Sequence, residues 1–195
     1  MFLVEKGTPG FRVARSLDKH GWCSSDTAEL VFEDCEIPAE NVLGEEGRGF
    51  YAIMANFQNE RLVLGAMAMG EAQAALDLTL EYVRMRKAFN APLFDKQTVR
   101  QRLAMLAARV EAGRQLIYVT AWRDSQGENV TKVVSMVKAY CGELVNAVMY
   151  DCLQFHGGVG YMRGTTIERM TRDARIQTIG GGATEVMLEE VAKRF

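Results

Sequence analysis

The apolar positions of the chain change their period once, near residue 45. From Thr27 to Ile37 they alternate, with Ala28, Leu30 and Phe32 set against Glu29, Val31 and Glu33. A period of two predicts a strand with one buried face. Phe2-Leu3-Val4 predicts a further strand, followed by the turn Gly7-Thr8-Pro9-Gly10 and then Phe11-Arg12-Val13. Two or three strands do not hold together alone in water, so this piece needs partners. Pro38 and the glycines at 44, 47 and 49 then mark a change to helical spacing. One long helix is predicted from Gly49 to Phe89. A second, from about Asp95 to Ser125, carries Val99, Leu103, Leu106, Val110, Gly113, Ile117 and Thr120 at bundle spacing. The short turn Gly127-Glu128-Asn129 implies an antiparallel neighbour. That neighbour is a third helix from about Val130 to Phe155, striped by Val134, Val137, Cys141, Leu144, Val148 and Cys152 and ended by Gly157-Gly158. Thr165 and Glu168 fit a capping box for a short helix. The last helix, about Ala183 to Phe195, has Glu185 in its first turn and Lys193 and Arg194 in its last. The pattern predicts a mainly α protein: an up-down four-helix bundle preceded by a few β-strands.

Composition narrows the function classes. A net charge of −2 with 25% charged residues gives no basic face for nucleic acid. No apolar run reaches the roughly 18 residues of a membrane-spanning helix. Cys23, Cys35, Cys141 and Cys152 form no Cys-x-x-Cys pair, and there are only 2 histidines. Buried thiols in a reducing compartment are therefore expected, with no metal site and no disulfide framework. Met-Phe-Leu-Val-Glu-Lys-Gly lacks the basic region and long apolar core of a signal peptide.

Four stretches carry candidate chemistry. Asn59-Glu60-Arg61-Leu62-Val63-Leu64 sets a carboxylate beside a guanidinium in an apolar helix, where an acid must be paired, neutralised or used. Arg84-Met85-Arg86-Lys87-Ala88-Phe89 complements a helix dipole or meets a phosphate. Gln154 to Tyr161 is glycine-rich but follows a helix, the wrong order for a dinucleotide fold or P-loop, and alone reads as a helix cap and turn, with His156 a helix-end residue. Gly180-Gly181-Gly182 precedes a helix; it is either a flexible connector or a set of free N–H groups for an anion or carbonyl.

Taken together, Thr27–Asp34, Val42–Phe50, Arg86–Phe89, Gln154–Tyr161, Arg172–Arg175 and Ile179–Met187 resemble the acyl-CoA dehydrogenase family, in the right order along essentially the whole chain. The resemblance implies that residues 1–45 are the end of the family's middle β-domain and residues 46–195 its C-terminal four-helix domain, with the N-terminal helical domain and most of the β-domain absent. It implies an FAD-dependent oxidation in which a base takes the α-proton of an acyl-CoA thioester while the β-hydrogen leaves as hydride to the flavin. Most members carry that base as a glutamate at the position of Gly181. This chain is similar instead to the long-chain and isovaleryl members, whose base sits on the first long helix before an arginine. Glu60-Arg61 occupies that place, and Glu60 is the implied base. Gly181 keeps the backbone N–H that polarises the thioester carbonyl.

The remaining roles follow from the same resemblance. Arg86, Ala88 and Gln97 fall at FAD-contacting positions, as do Gln154, Gly157 and Gly158 from a neighbouring subunit, with Ala183 and Glu185 beside the flavin. Gln58, Arg61 and Gly182 match substrate contacts. Ala183 stands where a flavin-contacting threonine is usual, and Asn90 replaces the glycine after Phe89. The implied substrates are medium- to long-chain or branched acyl-CoA thioesters. The implied partners are an electron-transfer flavoprotein and further copies of the chain, as a homodimer or homotetramer. The implied location is the bacterial cytoplasm or the mitochondrial matrix. Such a piece alone is expected to be inactive and mostly flavin-free. A helical oligomerisation module and an acyl-CoA oxidase on the same fold are the competing readings.

Overall fold

A computed structural model describes all 195 residues and divides them into two compact units, Met1–Phe57 and Gln58–Phe195. The division falls inside the first long helix, past the turn at residues 46–47, close to where the sequence changes period.

In the first unit, β1 (Phe11–Ser16) pairs antiparallel with β2 (Ala28–Phe32). Phe11 stacks on Phe32 with ring centroids 4.9 Å apart, and the register slips between Val13 and Arg15. The expected strand at Phe2–Val4 is reduced to a single bridge between Phe2 and Val42. The alternation does not produce a buried face: Leu30 and Phe32 stay 50% and 54% exposed. A two-stranded ribbon has no second layer to cover either side.

The second unit is a bundle of three long helices: α1 (Gly49–Met85) from Gln58 onward, α2 (Gln97–Ser125) and α3 (Thr131–Tyr161). Cross-contacts fix the directions. Arg102 on α2 meets Asp151 on α3, and the Tyr140 hydroxyl of α3 donates to the Arg109 carbonyl, so these helices run antiparallel. Gln58 donates to Thr131 and Thr79 meets His156, so α1 and α3 run parallel. The fourth member is broken. α4 (Thr166–Ala174), a 3-10 turn (Arg175–Thr178), a glycine loop and α5 (Thr184–Ala192) return along α3 in the opposite sense. Ala174 bonds Asn146, Gln177 bonds Lys138, and Arg194 bonds Lys132, in that order. The predicted stripes form the core: Leu103, Leu106, Val110 and Ile117 of α2 pack with Val137, Cys141, Leu144, Val148 and Cys152 of α3 and with Ala68, Ala72, Leu76 and Val83 of α1.

Two boundaries differ from the sequence pattern. α1 stops at Met85, and residues 86–92 form a hairpin of β3 (Lys87–Ala88) and β4 (Ala91–Pro92). Phe89 and Asn90 take φ of 55° and 64° at its turn, a left-handed conformation that asparagine tolerates and a helix does not contain. α2 begins at Gln97 after a separate 3-10 turn, Leu93–Asp95. The regular helix of α3 breaks at Gly157 (φ 60°, ψ −143°), where the sequence pattern ends it, and one separate turn follows to Tyr161. Thr165 does cap α4, accepting the Glu168 N–H at 3.4 Å, while the Glu168 carboxylate turns forward to Arg172. No helix is long and apolar enough to cross a membrane.

Candidate active site and its cofactor-binding end

The broken fourth helix places its glycine loop against α1 at Arg61 and Leu64. The Arg61 Nε donates to the Gly181 carbonyl at 3.4 Å, across 120 residues of sequence. Gly181 has φ of 68°, and a Cβ built there would run into Leu64 Cδ1. The place where a side chain at 181 would start is thus filled by α1. Gly182 has φ of 111°, and its Cβ would fall 2.6 Å from Met187 Cε. Both positions favour glycine through their positive φ, and at each an added Cβ would have to push a neighbouring side-chain tip aside. Glu60 precedes Arg61 and lies one helical turn before Leu64, on the face of α1 that meets the loop. Its side chain is exposed, whereas Arg61 and Leu64 are half-buried. Gln58 completes the group. Its amide donates to Thr131 Oγ1 at 2.7 Å, and its Oε1 is buried with no hydrogen-bond partner.

Beneath the loop lies a residue the sequence pattern did not single out. Lys138 on α3 is only 2% exposed and donates to the Gln177 carbonyl at 2.7 Å. Burial pushes its pKa down, the Arg61 guanidinium adds to that, and Glu143 opposes it. Gln177 is itself buried and donates through its side-chain amide to Glu71 at 3.3 Å. Burial raises the Glu71 pKa, with the Gln177 hydrogen bond opposing. The available signal was the spacing Lys138, Gly142, Asn146, one polar or small residue per turn beside an apolar stripe.

The second group of sequence-predicted residues gathers at the other end of the bundle. Arg86 follows α1, Ala88 lies in β3, and Gln97 opens α2. Their arrangement is tied by the Leu93 N–H donating to the Arg86 carbonyl at 2.8 Å. Gln154, Gly157 and Gly158 flank the kink in α3 at the same end. His156 between them stacks on Tyr82 of α1 with centroids 4.2 Å apart, and its carbonyl accepts the Tyr82 hydroxyl at 3.3 Å. His156 is thus the last residue of α3 before the break, as the sequence suggests, and also a buried joint between helices; burial lowers its pKa. Arg86, Gln97 and Gln154 are exposed and make no side-chain hydrogen bond within the chain. No heavy atom lies within 4 Å of where a Cβ on Gly157 or Gly158 would point. An open guanidinium, two open amides and bare glycine backbone form a donor set suited to a diphosphate.

Ala183 and Glu185 lie with the glycine loop instead. Ala183 starts α5 without a side-chain cap. Along α1 the rise from Glu60 to Met85 is roughly 37 Å, so a single copy does not bring the two groups together.

The sequence profile of the acyl-CoA dehydrogenase C-terminal domain matches residues 47–195. The chain is 41% identical to an acryloyl-CoA reductase (NADH) of Anaerotignum propionicum over 98% of its length and 50% of that protein's. It is 40% identical to the long-chain specific acyl-CoA dehydrogenase of Sus scrofa mitochondria, over 100% of this chain and 45% of that one. Among solved structures, a probable acyl-CoA dehydrogenase from Mycobacterium abscessus superposes with a TM-score of 0.97 at 43% identity, covering 99% of this chain and 51% of that one. The chain spans about half the length of the curated relatives it matches. With a glycine loop breaking the fourth helix, an acid–arginine pair on the first helix facing it, and this match over the bundle, the chain belongs to the acyl-CoA dehydrogenase family.

Proposed function

We propose that this chain is the helical half of an FAD-dependent acyl-CoA dehydrogenase in which Glu60 is the base. The observation that carries the reading is the contact of α1 with the glycine loop. Arg61 bonds the Gly181 carbonyl and Leu64 fills the space of a side chain at 181, so the carboxylate one residue before Arg61 borders that loop. The Glu60 carboxylate takes the α-proton of an acyl-CoA thioester. The Gly181 N–H donates to the thioester carbonyl and steadies the enolate-like charge that develops as the proton leaves. Arg61 and Gly182 line the acyl path, and Gln58 Oε1 is the acceptor left to meet a substrate donor.

FAD, when bound, supplies the acceptor for the β-hydrogen, giving a trans-2-enoyl-CoA. Ala183 and Glu185 sit beside the flavin. Arg86, Gln97 and the backbone at Ala88, with Gln154, Gly157 and Gly158 at the same end of the bundle, hold its diphosphate and adenosine side from a neighbouring copy. The roughly 37 Å between the two residue groups supports a homodimer or homotetramer in which each cofactor spans two copies. The 195-residue chain by itself is then inactive and retains little flavin. Medium- to long-chain or branched acyl-CoA thioesters are the substrates. An electron-transfer flavoprotein takes the electrons onward, in the cytoplasm of a bacterium or in a mitochondrial matrix. In a flavin-loaded holoenzyme carrying this chain, Glu60→Gln is expected to keep the flavin absorbance band and lose its bleaching by acyl-CoA. Bleaching at the unaltered rate would remove Glu60 from the mechanism.

A further inference from the structure

We propose that Lys138 is a positioning residue that aims the Gly181 N–H by fixing the Gln177 carbonyl; this rests on the role given above to Gly181. The loop from Ile179 to Gly182 is tied to the preceding turn only at its start, where the Ile179 and Gly180 N–H groups donate to the Ile176 carbonyl. Three of its four residues are glycines, and two of them have positive φ. Its geometry is set by the turn that feeds it, and α3 grips that turn through one face. Asn146 Nδ2 donates to the Ala174 carbonyl at 3.1 Å, and one turn back Gly142 leaves room for the Gln177 carbonyl, which a Cβ there would meet at 2.5 Å. One further turn back, Lys138 Nζ donates to that same carbonyl at 2.7 Å.

From the other side, α1 holds Gln177 through Glu71 and Gly181 through Arg61. The turn is thus fixed at Gln177 by an ammonium and at Gly181 by a guanidinium. The Lys138 ammonium acts on a carbonyl at the C-terminal end of the one-turn helix Arg175–Thr178, where partial negative charge collects, and Arg61 acts three residues past that end.

A buried ammonium is an expensive way to satisfy one carbonyl. No carboxylate lies within ion-pair distance of it, and its Cε lies 4.0 Å from where a Cβ on Gly181 would be. Its stem is therefore the floor of the loop and its head is the anchor. A lysine that served stability alone would be replaceable by an apolar side chain of similar length without effect on the loop.

Lys138→Met keeps the stem and removes the head. In the ¹H–¹⁵N spectrum of the chain, this variant is expected to move or broaden the amide resonances of residues 177–182 while the rest stay in place. In a flavin-loaded holoenzyme, kcat should fall roughly 10- to 100-fold with little change in KM, as befits a displaced donor rather than a lost binding contact. Gly142→Ala displaces the same carbonyl without touching the lysine and is expected to reproduce both effects, which keeps the test open where Lys138→Met does not fold. A wild-type Gly181 resonance, or unaltered kcat with a moved one, in either variant that folds would overturn the role of Lys138. Glu60→Gln measured in parallel separates the two readings: full activity there overturns the assignment of the base, whatever Lys138→Met does.

Discussion

Gly181→Ala tests the contact on which the site depends, and its cost follows from two terms. The residue sits at φ of 68°, where any side chain costs about 1–2 kcal/mol. The added Cβ also runs into Leu64 Cδ1, and overpacking of this kind costs about 1–3 kcal/mol, toward the lower end because a half-buried leucine can swing aside. The expected total is about 2–5 kcal/mol. Leu64→Ala alone should cost about 1–2 kcal/mol, less than a fully buried leucine. In the double variant the steric term vanishes and only the backbone term survives, so the two costs fall short of additivity by about 1–3 kcal/mol. Denaturant unfolding of the four chains, followed by circular dichroism and checked for a constant slope, measures this directly. Costs that add to within about 0.5 kcal/mol would show that Leu64 does not pack on Gly181. A side chain at position 181 would thus have to displace the tip of Leu64 on α1.

Two further outcomes follow from the fold. His156 is buried and its pKa lies below the ordinary 6.5, so as pH falls the unfolded chain takes up its proton first. Stability is therefore lost from about pH 6.5 down to the native value, and His156→Phe, which keeps a ring against Tyr82, should flatten that part of a stability–pH profile; an unchanged slope would mean the histidine is charged in the native state. Thr165→Ala removes the cap of α4 and should cost about 1 kcal/mol in the same unfolding measurement, and Thr165→Ser should recover most of it.

Burial was legible wherever a residue's register alone decides it. The α2 and α3 stripes are core because each places one residue per turn on the same side of a straight helix. The end of α1 was not legible, because Arg84, Arg86 and Lys87 suit a helix terminus while the turn that stops it rests on Phe89 and Asn90. Neither carries the glycine that usually announces a left-handed pair. Gly157 was legible: its positive φ breaks the regular helix of α3 where the glycine pair predicts, and only the extra turn to Tyr161 was not foreseen. The alternation in β2 foretold a strand correctly, but a buried face depends on a covering layer that lies outside the strand's own residues. At the site, Glu60 and Gly181 were brought forward by a family resemblance, and local pattern alone left both open. Lys138 stayed hidden because a charged residue beside an apolar stripe ordinarily points to solvent, and only the turn after α4 gives it a buried partner.

The identity of the base is tested most directly by following the α-hydrogen alone. A flavin-loaded holoenzyme carrying this chain is mixed in D2O with an acyl-CoA thioester blocked at the β-carbon, and deuterium uptake at the α-carbon is read by mass spectrometry. With Glu60 as base, Glu60→Gln should slow that exchange roughly 100- to 10,000-fold while the flavin band and thioester binding persist. Exchange at the wild-type rate in Glu60→Gln would place the proton acceptor elsewhere.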